Sequence, residues 1–156
     1  MSSMERQYLK VDLEKLFAWS KDWDMPLNID KCHLLTNKGE LNVQADEERI
    51  VVNPTLEVRD LGIRVTSNFK WETQCRGAAQ KARNELFRLK SALTCKDPEV
   101  FIPLYKAFVR PHLEYCVQAW APYFKDIACI EQVQRLATRM LPGMKDRSYD
   151  ERLLTL

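Results

Sequence analysis

Lys70, Arg76, Lys81, Arg83, Arg88 and Lys90 place six cations within a stretch of twenty-one residues. Residues 70–110 together carry nine basic and four acidic side chains, net +5, whereas residues 1–69 carry nine and twelve, net −3. Residues 111–156 carry six of each, so the formal charge of +2 conceals one positive segment. A basic helix face can contact phosphate, although a face that is merely solvated has the same composition. Trp71, Trp120 and Tyr123 can stack on bases or, as readily, fill a core.

The remaining reactive residue types form no familiar constellation. Cys32, Cys75, Cys95, Cys116 and Cys129 contain no C-x-x-C, and the only histidines, His33 and His112, lie far apart. Cys32-His33 is a weak metal signal, because adjacent residues of a strand point to opposite faces. Cys75, Cys116 and Cys129 fall in apolar periodic stretches and are expected to be buried small hydrophobes. The four glycines are isolated, which excludes the glycine-rich phosphate loops of Rossmann and P-loop proteins. No H-E-x-x-H or G-x-S-x-G occurs.

The start, Met1-Ser-Ser-Met-Glu-Arg6, lacks an apolar segment of signal-peptide length, so free thiols in a reducing compartment are expected. A mean hydropathy of −0.40 and the lack of a long apolar run give no membrane span. With 46% hydrophobic residues, the 156-residue chain is expected to fold rather than to stay disordered.

Leu9, Leu13, Leu16, Phe17 and Trp23 trace one face of a helix over 9–23, which Pro26 ends. Leu27-Asn28-Ile29 opens an extended stretch to about Leu35, and Asn37-Lys38-Gly39 reads as a turn. Short β-branched runs at 41–43, 50–52, 56–58 and 61–66 suggest a small antiparallel meander, with Asp46-Glu47-Glu48 as a solvated turn.

The pattern changes near residue 70. Trp71, Cys75, Ala78, Ala82, Leu86, Leu89 and Leu93 recur every three or four residues, predicting a helix of about six turns. Asp97-Pro98-Glu99 opens the next, with Asp as N-cap and Pro in the first turn, running through Val100, Leu104 and Phe108. Pro111 is expected to kink or break it. Ile127, Ile130, Val133, Ala137 and Met140 mark a further helix, stopped by Pro142-Gly143. Ser148-Tyr-Asp-Glu151 is a capping box. The expectation is an α+β chain: one helix and a small sheet over 1–69, then a helical bundle over 70–156 that looks truncated at its C-terminal end.

Several segments resemble, in order, the reverse transcriptases of non-LTR retrotransposons (LINE-type, the Jockey-like group above all). Asn28-Ile-Asp-Lys31-Cys32 is similar to the N-x-x-K-[TC] motif after their catalytic palm strands. Val58-Arg-Asp-Leu61-Gly62-Ile-Arg-Val65 resembles the "LG" primer-grip hairpin. Phe69-Lys-Trp71 with the long helix, the run Leu104–Trp120 containing Arg110-Pro111-His-Leu-Glu-Tyr115, and the segments 130–139 and 148–153 resemble the thumb.

The resemblance implies that Lys31 lies near the incoming nucleotide as a general acid toward pyrophosphate, with Asn28 and Cys32 shaping its strand. It implies that Leu61 and Gly62 form the primer grip, where glycine permits close approach of a nucleic-acid backbone. Arg64, Lys70, Arg76, Lys81 and Arg110 become candidates for template–primer phosphates, joined by Arg83 and Arg88 on the basic helix. The partner would be an RNA or DNA template–primer bound weakly and salt-dependently, and the location intracellular, cytoplasmic or nuclear, not secreted.

One departure bears on activity. The family holds two Mg²⁺ ions with an aspartate strand and a Y-x-D-D turn, and this chain contains no D-D dipeptide. Asp22 and Asp24 flank Trp23 and do not resemble that turn. The chain itself is therefore expected to hold no metal and to be inactive alone. The competing expectation is a helical protein-interaction module that uses the apolar stripes of 71–93 and 127–141.

Overall fold

The computed structural model describes residues 3–36, 39, 41–45 and 48–156 and is α+β. Two compact units emerge: residues up to Arg59 with Thr66–Asn68, and Asp60–Val65 with Phe69–Leu156. The sequence expectation drew the line after residue 69, placing Leu61 and Gly62 with the strands. Contacts instead group residues 60–65 with the helices.

In the first unit, helix α1 spans Ser3–Asp22 and so begins before the expected residue 9. It ends before Pro26 is reached. Asp24 adopts a left-handed φ of 50°, and the Met25 N–H donates to the Ser20 carbonyl at 2.8 Å, which closes the last turn. Tyr8, Leu16, Trp19 and Trp23 of this segment are exposed, with the rings of Trp19 and Trp23 6.3 Å apart.

The extended stretch expected over 27–35 is mostly absent. Asn28 instead caps a 3₁₀ turn, Ile29–Lys31, and only β1, Leu34–Leu35, is strand. The meander is absent too, because the strands pair in separate twos. β2 (Leu41–Ala45) and β3 (Glu48–Val52) are antiparallel, with Leu41 opposite Val52 and Ala45 opposite Glu48. β1 pairs in parallel with β4 (Pro54–Thr55), the Leu34 N–H donating to Asn53 and the Thr36 N–H to Thr55. Pro54 has no N–H to donate, which limits the pairing available there. β5 (Glu57–Asp60) pairs with β6 (Ile63–Thr66) across Leu61-Gly62. The turns expected at Asn37-Lys38-Gly39 and Asp46-Glu47-Glu48 fall on positions 37, 38, 46 and 47, outside the described residues.

The second unit is organised by α2, Glu72–Ala92, whose buried residues Cys75, Ala78, Ala82 and Leu86 reproduce the predicted stripe. Small residues there let neighbouring elements approach closely. Ala79, Ala82 and Leu86 pack with Val133 and Ala137 of α6 (Phe124–Arg139), with Phe101, Val109 and Leu113, and with Leu141 and Met144. A second cluster joins Ile63, Cys75, Ala78 and Trp120, flanked by Val65 and Trp71.

Asp97 caps α3, Pro98–Leu104, as expected, accepting from the Glu99 N–H at 3.0 Å. The helix then widens into a π turn, Tyr105–Val109, where the Arg110 N–H donates to the Tyr105 carbonyl, and continues as α4, Arg110–Glu114. Pro111 therefore neither breaks nor sharply ends the run. It sits in the first turn of α4, where a missing N–H costs little. The buried stripe is displaced by one residue from the start of the helix, before the wide turn: Val100 and Phe108 of the expected stripe are exposed, and Phe101, Val109 and Leu113 are buried instead.

Cys116 is exposed rather than buried, since the chain reverses there with a left-handed φ of 54° before α5, Val117–Trp120. Cys75 is buried and Cys129 half-buried. Beyond α6, Gly143 turns the chain at φ 70°, and the capping box of Ser148 and Glu151 starts α7, Tyr149–Thr155.

Candidate nucleic-acid interface

Lys31 closes the 3₁₀ turn of the first unit with its side chain exposed. Its N–H donates to the Asn28 carbonyl at 3.1 Å, and the Cys32 thiol donates to that same oxygen at 3.4 Å. Asn28 and Cys32 thus shape a turn at Lys31, not a strand.

The other candidates lie in the second unit. At the β5–β6 turn, Leu61 and Gly62 both have positive φ, 44° and 87°. That is the conformation of a type I′ turn, which favours Asn-Gly because an L side chain is strained there. Leu61 accepts the strain while 83% exposed, so burial of its side chain does not compensate for it. What holds the turn is Tyr115: its hydroxyl donates to the Leu61 carbonyl at 3.0 Å. Its ring lies 3.6 Å from where a Cβ on Gly62 would stand. Tyr115 is fixed in turn by Trp120, whose buried indole N–H donates to the Tyr115 carbonyl at 2.8 Å.

The stem of the turn is secured against α2. Ile63 enters the cluster with Cys75, Ala78 and Trp120, and the Arg64 N–H donates to the Gln74 side-chain oxygen at 2.9 Å. A Cβ on Gly77 would stand 4.0 Å from Arg64 Nε, an ordinary van der Waals distance. Lys70 is exposed just before α2 begins.

The cations of α2 do not form a single face. Seven residues make almost two turns, so Arg76, Arg83 and Lys90 share one row while Lys81 and Arg88 share another. Gln80, Asn84 and Ser91 form a neutral ridge between them, with Gln80 Nε2 donating to Asn84 Oδ1 at 2.8 Å. Arg76 pairs with Glu72 at 2.6 Å and Arg88 with Glu85 at 2.7 Å. Lys81 and Arg83 have no ion pair among the described residues. Arg110 stands apart on α4, paired with Glu114 at 2.6 Å, which raises its pKa further.

Cys75 and Cys129 are poor nucleophiles. Burial first, then Asp126 and Cys129, pushes Cys75 up to about 11. Burial and Asp126 likewise raise Cys129, although Arg76 and Arg83 oppose the rise. No group of three His, Cys, Asp or Glu is arranged to hold a metal among the described residues. Asp22 and Asp24 are exposed at the end of α1 and do not fit a two-Mg²⁺ site.

The structure thus brings Leu61, Gly62, Arg64, Lys70 and the α2 cations into one unit, separates Arg110 onto α4, and leaves Lys31 in the other unit. Sequence reasoning missed Tyr115 and Gln74 as the groups that position the turn. A tyrosine inside the Arg110–Trp120 motif was the one available signal for the first. In comparisons with known proteins, the chain matches no family model, no curated protein and no solved structure.

Proposed function

We propose that this chain is the end of a palm with the thumb of a non-LTR retrotransposon-type reverse transcriptase, and that it holds template–primer nucleic acid without catalysing polymerisation itself. The observation that carries the reading is the Leu61–Tyr115 contact, because it joins the two motifs that resemble a primer grip and a thumb. A strained, exposed turn fixed beside a helix carrying Lys81 and Arg83 offers both a close-approach backbone and cations for phosphate.

The interaction-module reading needs the stripes of 71–93 and 127–141 for a partner, yet Ala82, Leu86, Val133 and Ala137 are buried in one cluster. That weighs toward the nucleic-acid reading.

Anisotropy of a labelled RNA–DNA hybrid at about 50 mM and about 200 mM salt tests the binding. Affinity is expected to fall steeply with salt and to disappear in the Lys81→Glu, Arg83→Glu, Arg88→Glu variant. Absence of binding at the lower salt, or an affinity unchanged in that variant, sinks the nucleic-acid role. Extension of a primed template with Mg²⁺ tests the second claim, and incorporation above background overturns it.

A further inference from the structure

Helix α1 carries apolar side chains on two faces. It packs on β2, and Leu9, Leu13, Phe17 and Ser20, half-buried or buried, form the inward face. On the opposite face Met4, Tyr8 and Trp23 are 66%, 65% and 67% exposed, and Val11, Leu16 and Trp19 are exposed as well. At about 100° per residue, these six fall within roughly 70° of one line along the helix. Asp12 and Lys15 lie on the same line, both exposed, and the ion pair between them is long at 3.9 Å. The whole set is mirrored about the midpoint between Leu13 and Glu14. Met4 answers Trp23, Tyr8 answers Trp19, Val11 answers Leu16, and Asp12 answers Lys15. A two-fold axis perpendicular to the helix at that midpoint performs the same exchange. Two copies laid face to face and antiparallel therefore bring each of these residues level with its counterpart.

We propose that this outer face of α1 docks on the same face of a second copy of the chain, with the two helices antiparallel. Asp12 of each copy meets Lys15 of the other at the centre, flanked by Val11 and Leu16. Tyr8 and Trp19 form the next apolar layers, and Met4 and Trp23 close the two ends. The charges select both the partner and its direction. In a parallel pair Asp12 would lie level with Asp12 and Lys15 with Lys15, and like charges so placed are repulsive; the antiparallel pair makes opposite-charge contacts of both. Nucleic acid or an anionic lipid surface suits the face poorly, because Glu5, Asp12 and Asp22 lie on it against Lys15 alone. Glu5 and Asp22 come level with each other only at the two ends of the contact, where water screens them. The helix of 20 residues is about 30 Å long, so the contact is small and a dissociation constant in roughly the micromolar range is expected. The assignment is independent of nucleic-acid binding, since none of these residues is among the candidates for phosphate or for the β5–β6 turn.

Sedimentation velocity of the full chain between about 2 and about 200 µM tests it, and a reversible monomer–dimer transition is expected. Trp19→Ala, at an exposed position, is expected to raise the dissociation constant about tenfold or more, with the far-ultraviolet circular dichroism of the monomer unchanged. Asp12→Lys and Lys15→Asp are each expected to weaken self-association severalfold. An equimolar mixture of those two variants is expected to dimerise at least as tightly as the unaltered chain, since each then carries the charges that the other lacks. Benzoylphenylalanine introduced at position 8 tests the direction: its photo-crosslinks are expected around Trp19 of the other copy. A chain that stays monomeric at the highest concentration, a dimer undisturbed by Trp19→Ala, a mixture that fails to recover, or crosslinks centred on position 8 would each overturn the proposal.

Discussion

The Tyr115 hydroxyl reaches the Leu61 carbonyl at 3.0 Å across 54 residues of sequence, and the Trp120 indole holds Tyr115 from behind. The exposed turn is thereby tethered to the helical unit by a bond that no local pattern encodes. Tyr115→Phe keeps the ring beside Gly62 and deletes only that bond. A loss of about 1 kcal/mol in urea unfolding is expected, with faster amide exchange confined to 60–65. Unchanged exchange there would show that the tether does not hold the turn.

Leu61 can be relieved of its strain without loss of burial. Leu61→Asn places a residue tolerant of left-handed φ at the same position and is expected to stabilise the protein by roughly 1 kcal/mol. If nucleic acid is gripped through the backbone here, affinity for the hybrid stays within about twofold, well under the tenfold that 1.4 kcal/mol would bring. A fall in the urea midpoint would mean that the leucine side chain has a packing role.

Phosphate contacts separate by pairing. Glu72 already neutralises Arg76, whereas Lys81 has no carboxylate partner among the described residues. Lys81→Gln is expected to lower the slope of log affinity against log salt by about 1, and Arg76→Gln to change it little. Equal effects would place both rows of α2 on the nucleic acid.

Helix α7 carries a pH dependence of known sign. The Ser148 backbone N–H, and then its hydroxyl, hold the Glu151 carboxyl below its ordinary 4.5. A depressed folded value gives stabilisation that is complete above the unfolded pKa and is lost as pH falls through the lower folded one. Amides of 149–155 are therefore expected to fray progressively below about pH 4.5. Ser148→Ala should cost roughly 1 kcal/mol of local stability at neutral pH and weaken that dependence only in part, because the backbone N–H bond to Glu151 remains.

Protection should differ between the units. Up to Arg59, among the residues whose burial is described, only Ser20 and Val52 are buried, while the helical unit encloses Leu86, Phe101, Val109, Trp120 and Val133. Amide exchange is expected to be slowest in α2 and α6 and faster throughout 3–45. Strongest protection in that N-terminal stretch would contradict this.

Local rules in the sequence accounted for most of the helices. The stripe of α2, the Asp97-Pro98 start and the Ser148–Glu151 box depend on neighbours within four residues, and each formed as written. Strand pairing depends on distant partners, so nothing local at 34–35 or 54–55 announced that these residues would meet in parallel. Cys116 sits in an apolar run but at a reversal that the run does not reveal. Of the candidate site, residue types were legible and arrangement was not. The cations of α2 were visible in the sequence, while their division into two rows and their carboxylate partners required the helix phase and the side-chain positions. Tyr115, decisive for the Leu61 turn, had no pattern to announce it beyond its motif.

A π turn is an α-helix with one residue too many, absorbed on the spot instead of twisting everything downstream. Without it, Leu113 would lie about 120° around the axis from Phe101; with it, the offset shrinks to about 20°, and both reach one core. The stretch from Tyr105 to Val109 is thus the place in this helix where length and register are uncoupled. Removal of one residue there, together with replacement of both Pro103 and Pro111 by alanine, would give an uninterrupted α-helix of sixteen residues with the same inward face. Removal of one residue elsewhere between Phe101 and Leu113, with the π turn kept, would swing Leu113 about 100° away from that core.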